Sequence, residues 1–346
     1  MNLNEKEKNK NENQLNKNLY FTFISNITKD SYIIRDLDNS FIIFSTINNL
    51  FNLVYSNEIK SIISYDLNKF QIITELKNPH EGHYITNFRH FFDKNNKNDL
   101  ILSISAKNCM IKIWNNKNWD CILSIKDIYQ NGIINSACFI FYDKNIFIAT
   151  CNNLWPKADF INIIDFKGSI IKKINDSDKN AYCIDSYFDK LNSNLYIVTS
   201  NYDCVISYNY IKNEIYHKYY DCNSKYHCSF KILEKDETIK LIESAADGII
   251  RIWNFHSGSL IKKIYVSNVC LYGICLWEYD YIFVGCADNN IKLININNGE
   301  ITKKIEGFKN WVCTIYTIYH IKYGICLIAQ SIRDEQIKLW QIKKDK

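Results

Sequence analysis

Two prolines and ten glycines are all that a chain of 346 residues holds of the usual loop formers. So small a supply excludes collagen-like and Gly/Pro-rich linker architectures. It leaves turns to Asn and Asp, which tolerate left-handed backbone better than other side chains. No apolar run reaches the roughly 18–20 residues that a helix needs to cross a bilayer, so no membrane insertion is expected. The opening stretch, "MNLNEKEKNKNENQLNKN", lacks the apolar segment of a secretory leader. It is too polar to repay the entropy of ordering, so residues 1–18 are expected to form a disordered tail ahead of one domain over 19–346. No CxxC pair occurs among the 13 cysteines. An odd count in a long chain argues against a secreted disulfide framework and for reduced, mostly buried thiols in the cytoplasm or nucleus. Charge of one sign is scarce too: 42 Lys and Arg stand against 37 Asp and Glu. The resulting +5 is too slight, over this length, to indicate nucleic acid by itself. P-loop, GxGxxG, HExxH and GxSxG motifs are all missing, so no enzyme class suggests itself and no cofactor is expected.

What the chain has is repetition. "AKNCMIKIWNNKNWDCILSI" (106–125), "ADGIIRIWNFHSGSLIKKI" (246–264), "ADNNIKLININNGEITKKI" (287–305) and "RDEQIKLWQIKK" (333–344) share one pattern. Weaker copies begin at Ser56, Lys157 and Asn201. The anchor positions are Tyr65, Trp114, Ile164, Tyr208, Trp253, Ile294 and Trp340, separated by 49, 50, 44, 45, 41 and 46 residues. A spacing of this size with alternating β-branched residues reads as one four-stranded blade per repeat. Two short apolar runs precede each anchor and one follows it, as in "ITNFRHFF", "LILSIS" and "CILSIK" around Trp114.

These residues resemble the WD40-repeat family of β-propellers. Gly82-His83 is similar to that family's Gly-His. Asp247, Asp288 and Asp334 stand where it has a turn Asp, each six residues before an anchor, and Asn108 holds the same place. Trp114, Trp253 and Trp340 match its Trp. The Asp that follows Trp in the family is Asn115, Asn254 and Gln341 here, and Phe308 stands where a second His is expected. The resemblance implies an all-β, seven-bladed propeller in which His83, Asn108, Trp114, Asp247, Trp253, Asp288, Asp334 and Trp340 are structural, making buried hydrogen bonds within single blades. The last copy ends after three strands. An N-terminal strand, expected at about 31–37 ("SYIIRDL"), would complete the seventh blade and close the ring, since an open sheet edge invites aggregation. The β-prone stretch 18–27 has no assigned place in this scheme.

Lys172-Lys173, Lys262-Lys263 and Lys303-Lys304 fall in fourth strands. There they read as protection of outer edges rather than as a phosphate-binding surface. His217, Cys222, His227 and Cys228 are zinc-ligand types, but their spacing fits no finger and strand alternation divides neighbours between faces, so no metal is expected. The loops leading into first strands and the turns between second and third strands share one face. They bring His80, Glu81, Tyr129, Trp155, Lys157, Lys309, Asn310, Trp311 and Arg333 to one rim. That mixture of aromatic and charged groups suits protein contacts better than a small-molecule cleft. The sequence therefore points to a non-catalytic platform, a WD40-repeat subunit that holds other proteins in an assembly, monomeric as a propeller. The alternative is a component of an RNA–protein particle that meets RNA through basic patches.

Overall fold

The computed structural model describes residues 19–28, 40–45, 51–93, 97–106, 108–129, 133–152, 161–174, 181–221, 226–332, 334 and 336–344. These residues form 28 strands in seven antiparallel sheets of four strands each. Blades one to six occupy 41–76, 87–125, 134–174, 181–220, 227–265 and 271–305, and in each the order in the sheet is the order in the chain. The first strands of successive blades lie against one another and form the inner wall of a ring. Each expected anchor sits in a third strand, as Trp114 does in Met110–Asn115 and Trp253 in Ile249–Asn254.

Apolar residues occur on both faces of the second and third strands because every blade is covered on both sides by a neighbour. Seven apolar layers result, one between each pair of blades. Between blades two and three, for example, Leu102, Ile111 and Ile113 meet Ile134, Phe139 and Ile148. The outer strands are covered less: Ile72, Ile122, Ile171, Ile215 and Ile261 are all exposed.

An N-terminal strand does close the ring, but it is Leu19–Asn26 and not 31–37, which lies outside the described residues. It pairs antiparallel with the last strand, Lys338–Lys344, from Leu19 opposite Lys344 to Asn26 opposite Lys338. Its side chains explain the choice. Leu19 is buried between blades six and seven, Phe21 meets the edge of Phe283 at 5.9 Å, and Phe23 packs on Trp340 at 5.9 Å. Ile27 continues into the layer between blades seven and one, where Phe41 and Leu53 meet Ile328 and Leu339. The seam is also hydrogen-bonded. Ser40 and Thr314 share a 2.7 Å hydroxyl contact, the Ile337 N–H donates to Thr28 Oγ1 at 2.9 Å, and the His320 ring meets the Leu67 carbonyl at 3.0 Å.

The residue after the anchor shows why Asn serves where the resembled family has Asp. Asn254 Oδ1 accepts the backbone N–H groups of His256 and Ser257, at 3.0 and 2.9 Å. Asp66, Asn115, Asp165, Asn209 and Asn295 accept in the same way in their own blades. The turn needs only an acceptor, and an amide oxygen is one. Gln341 is different because the chain there stays extended against the closing strand; its amide donates to the Tyr323 carbonyl at 2.7 Å.

At one tight turn nothing but glycine fits. Gly248 has φ +78°, and a Cβ there would overlap the Ser267 carbonyl oxygen. Elsewhere the expectation that Asn and Asp carry the left-handed turns holds only in part. Of 17 non-glycine residues with positive φ among the described residues, six are Asn or Asp, and the rest include Phe70, Trp119 and Lys144. Asp143-Lys144 and Asp236-Glu237 are two-residue hairpin turns with both residues left-handed, the backbone that matches strand twist.

Candidate interaction surface

Strand order places the leading loops of the blades and their second-to-third turns on one face, called upper here. Those of the sequence-expected rim residues that are described lie there, but two of them turn inward. His80 is fully buried; its Nε2 meets Ser103 Oγ at 2.8 Å, and the same oxygen accepts the Trp114 indole N–H at 2.8 Å. It is therefore a structural residue and not a contact residue. His83, expected in that role, is only half-buried, because the turn through left-handed Glu81 and Gly82 points the earlier histidine into the blade. Burial, reinforced by Lys112 and His83, pushes the His80 pKa down to about 3. Tyr129 is also buried, at the corresponding place in blade three, with its hydroxyl 2.7 Å from Thr150 Oγ1. Phe308 fills that place in blade seven and packs on Trp340 at 5.2 Å. Glu81 is exposed and ion-paired with Lys126. Lys309 is exposed, Asn310 caps the Trp311 N–H at 2.9 Å, and Trp311 is 39% exposed. Trp155, Lys157 and Arg333 lie outside the described residues.

The turn acids have partners that the repeat pattern concealed. Each pairs with the basic residue four positions on, two before the anchor: Asp247 with Arg251, Asp288 with Lys292 at 2.9 Å, Asp334 with Lys338 at 3.2 Å. Lys292 and Lys338 continue to the Val266 and Gly307 carbonyls in the leading loops, at 3.2 and 2.7 Å. Asn108 breaks the series; its amide nitrogen meets the Met110 sulfur, at 4.0 Å. Blade five carries the densest network. Arg251 is fully buried, its Nε donates to Asp221 at 2.7 Å, and Lys263 reaches Asp221 at 2.7 Å. Burial pushes the Asp221 carboxyl up, but the Lys263 and Arg251 bonds outweigh it and leave it below the usual range. Glu243 takes the place that Ser103 has in blade two and bonds His227 at 2.9 Å, both fully buried. The Trp253 indole nitrogen, expected to find an acceptor there, is buried without one among the described residues.

The paired lysines of the outer strands are engaged locally. Lys172 donates to the Tyr210 carbonyl at 3.0 Å, Lys262 to the Asn297 carbonyl, and Lys263 to Asp221; Lys304 pairs with Glu306 at 2.8 Å. Among the described residues no group of three or more His, Cys, Asp or Glu could hold a metal ion. No helix among them is long and apolar enough to cross a membrane.

The upper face gathers aromatic rings, of which sequence reasoning assigned only Trp311. Tyr182 opens the first strand of blade four, and Tyr202 sits in that blade's second-to-third turn. Tyr226 leads into blade five, Tyr272 lies in the first strand of blade six, and Trp311 leads into blade seven. Tyr226 contacts Tyr202 and Tyr182 at 4.5 and 5.8 Å, and Trp311 stacks on Tyr272 at 5.7 Å. Tyr226 and Trp311 are 46% and 39% exposed. Backbone bonds pin their loops to the adjoining turns, from Ala246 N–H to the Tyr226 carbonyl at 3.0 Å and from Ile332 N–H to the Trp311 carbonyl at 2.8 Å. The only trace in the sequence is an aromatic one or two residues from a cysteine near each first strand: "AYC", "KYHC", "CLY" and "WVC".

Fold and closure together define a seven-bladed β-propeller. No family model matches the chain. Over 102 residues, 30% of its length, it is 27% identical to the U3 small nucleolar RNA-associated protein 21 homolog of Schizosaccharomyces pombe, and the match spans 11% of that protein. Over 96% of its length it superposes on Raptor from Chaetomium thermophilum with a TM-score of 0.66 and 15% sequence identity, covering 30% of that chain. The chain thus spans well under half of either protein.

Proposed function

We propose that this chain is a non-catalytic, WD40-type platform that holds other proteins in an assembly, in the cytoplasm or nucleus, and that partners dock on the upper face of blades four to seven. The observation that carries the reading is the exposure of Tyr226 and Trp311 on loops already fixed by backbone bonds. Rigid aromatic rings supply contact area with little conformational entropy to lose, the property of interface anchors. The repeat spacing, the turn acids and the Trp anchors support the WD40 assignment. Trp155, Lys157, Lys309 and Arg333 remain proposed contributors to the same face. The test is quantitative affinity purification of the wild type against a Tyr226→Ala, Trp311→Ala variant. Loss of specific partners at an unchanged melting temperature supports the reading; full recovery of every partner by the folded variant refutes it.

A second reading, a component of an RNA–protein particle, draws on the stretch that resembles the nucleolar RNA-associated protein. The local engagement of Lys172, Lys262, Lys263 and Lys304 weighs against phosphate contacts through those residues. RNA binding at low salt that falls steeply as salt rises would favour this reading, and no binding at low salt would remove it.

A further inference from the structure

Two thiols meet across the boundary between blades five and six. Cys228 occupies the bulge of the first strand of blade five, where the register slips between His227 and Ser229. Cys270 directly precedes the first strand of blade six, and its carbonyl accepts the Ala287 N–H at 2.9 Å. Their sulfurs are 3.6 Å apart, and both residues are half-buried. The surroundings are Tyr272, Cys313, Ile332 and Ala287, packed from blades six and seven.

Most other cysteines are placed for packing. Eight of the twelve described are buried. Burial pushes the Cys286 thiol up to about 12 and the Cys326 thiol up to about 11. Thiolate and access together set the rate of thiol–disulfide exchange, so such sites are inert. Cys228 and Cys270 differ in combining partial exposure with a second thiol in contact.

We propose that Cys228 and Cys270 form a dithiol site that a small-molecule disulfide, such as glutathione disulfide, converts to a covalent tie between blades five and six. One cysteine thiolate attacks a sulfur of the reagent, forming a mixed disulfide and releasing one glutathione thiolate. The neighbouring cysteine thiolate then attacks its partner's sulfur and releases the second glutathione. Two protein thiols are oxidised, one disulfide reagent is reduced to two thiols, and the two protons pass to the departing thiolates. The sulfurs must close by about 1.5 Å to reach bonding distance. Blades five and six are separate sheets, so the bond would reinforce a boundary otherwise held by side-chain packing and by non-covalent bonds such as Lys262 to the Asn297 carbonyl and Lys235 to Asp280. The inference stands apart from the docking reading, although Tyr226 and Tyr272 flank the site in sequence.

The full chain is incubated with glutathione disulfide, quenched in acid, alkylated in denaturant and mapped without reduction. A peptide linking Cys228 to Cys270 is expected, with an intact mass lower by two hydrogens and reversal by dithiothreitol. Cys228→Ser and Cys270→Ser should each instead retain one glutathione on the remaining thiol, because nothing is left to displace it. A wild-type protein that stops at glutathione adducts on Cys228 or Cys270, that cross-links other cysteines in their stead, or in which both thiols stay unreacted overturns the proposal.

Discussion

His80 should make the protein acid-sensitive by a calculable amount. The imidazole is fully buried and bonded to the Ser103 hydroxyl that also accepts the Trp114 indole N–H, and burial holds its pKa at about 3, against 6.5 for an ordinary histidine. Because the folded value lies below the unfolded one, the unfolded chain binds the proton first. The stability that neutral His80 provides is therefore complete above pH 6.5 and is lost as the pH falls toward about 3. At 1.36 kcal/mol per pH unit, acidification from pH 7 to pH 5 should cost about 2 kcal/mol through this group alone. Other groups titrate in the same range, so the informative quantity is a difference. His80→Phe removes the titration and leaves a ring of similar shape, at the place that Phe308 fills in blade seven. Urea unfolding of both proteins at pH 7 and pH 5 gives four free energies. The wild-type advantage over the variant should shrink by about 2 kcal/mol at the lower pH. An advantage independent of pH would show that His80 is not held neutral in the folded state, and the reasoning would fail.

Two further substitutions test the network inside the blades. Arg251→Ala leaves Asp221, Asp247 and Glu243 without their shared cation and should cost about 3–5 kcal/mol by urea unfolding, whereas a cost under about 1 kcal/mol would mean that the cluster is not dry. Asn254→Ala removes the acceptor of two turn N–H groups and should cost about 1–2 kcal/mol, while Asn254→Asp should be close to neutral because the acceptor remains.

Much of this fold was legible because its period is physical. One blade must bury both faces, so β-branched residues and a large anchor recur at every third strand, from Tyr65 to Trp340. The paired lysines were readable as edge residues for the same reason. What escaped depends on geometry that sequence spacing does not carry. His80 and His83 are three residues apart, and only the path of a tight turn decides which points inward. The closing strand could not be placed by pattern alone, because 19–27 and 31–37 are both β-prone; Phe21 and Phe23 decide it by meeting Phe283 and Trp340, more than 250 residues away. The acid–base pairs lay in plain view as Asp-x-x-x-Arg/Lys, but a turn Asp read as a hydrogen-bonding residue hid its ionic partner. The aromatic face is assembled from four blades, so apart from Trp311 its members do not stand out locally.

The most direct test compares urea unfolding of a chain that begins at Leu19 with one that begins at Thr28. The first keeps the outer strand of blade seven and should unfold like the full chain. The second loses that strand together with Leu19, Phe21 and Ile27, about 5 kcal/mol or more of buried apolar surface, and should be severely destabilised or fail to fold. Identical unfolding of the two would mean that the ring is sealed in some other way, and would contradict the architecture described here.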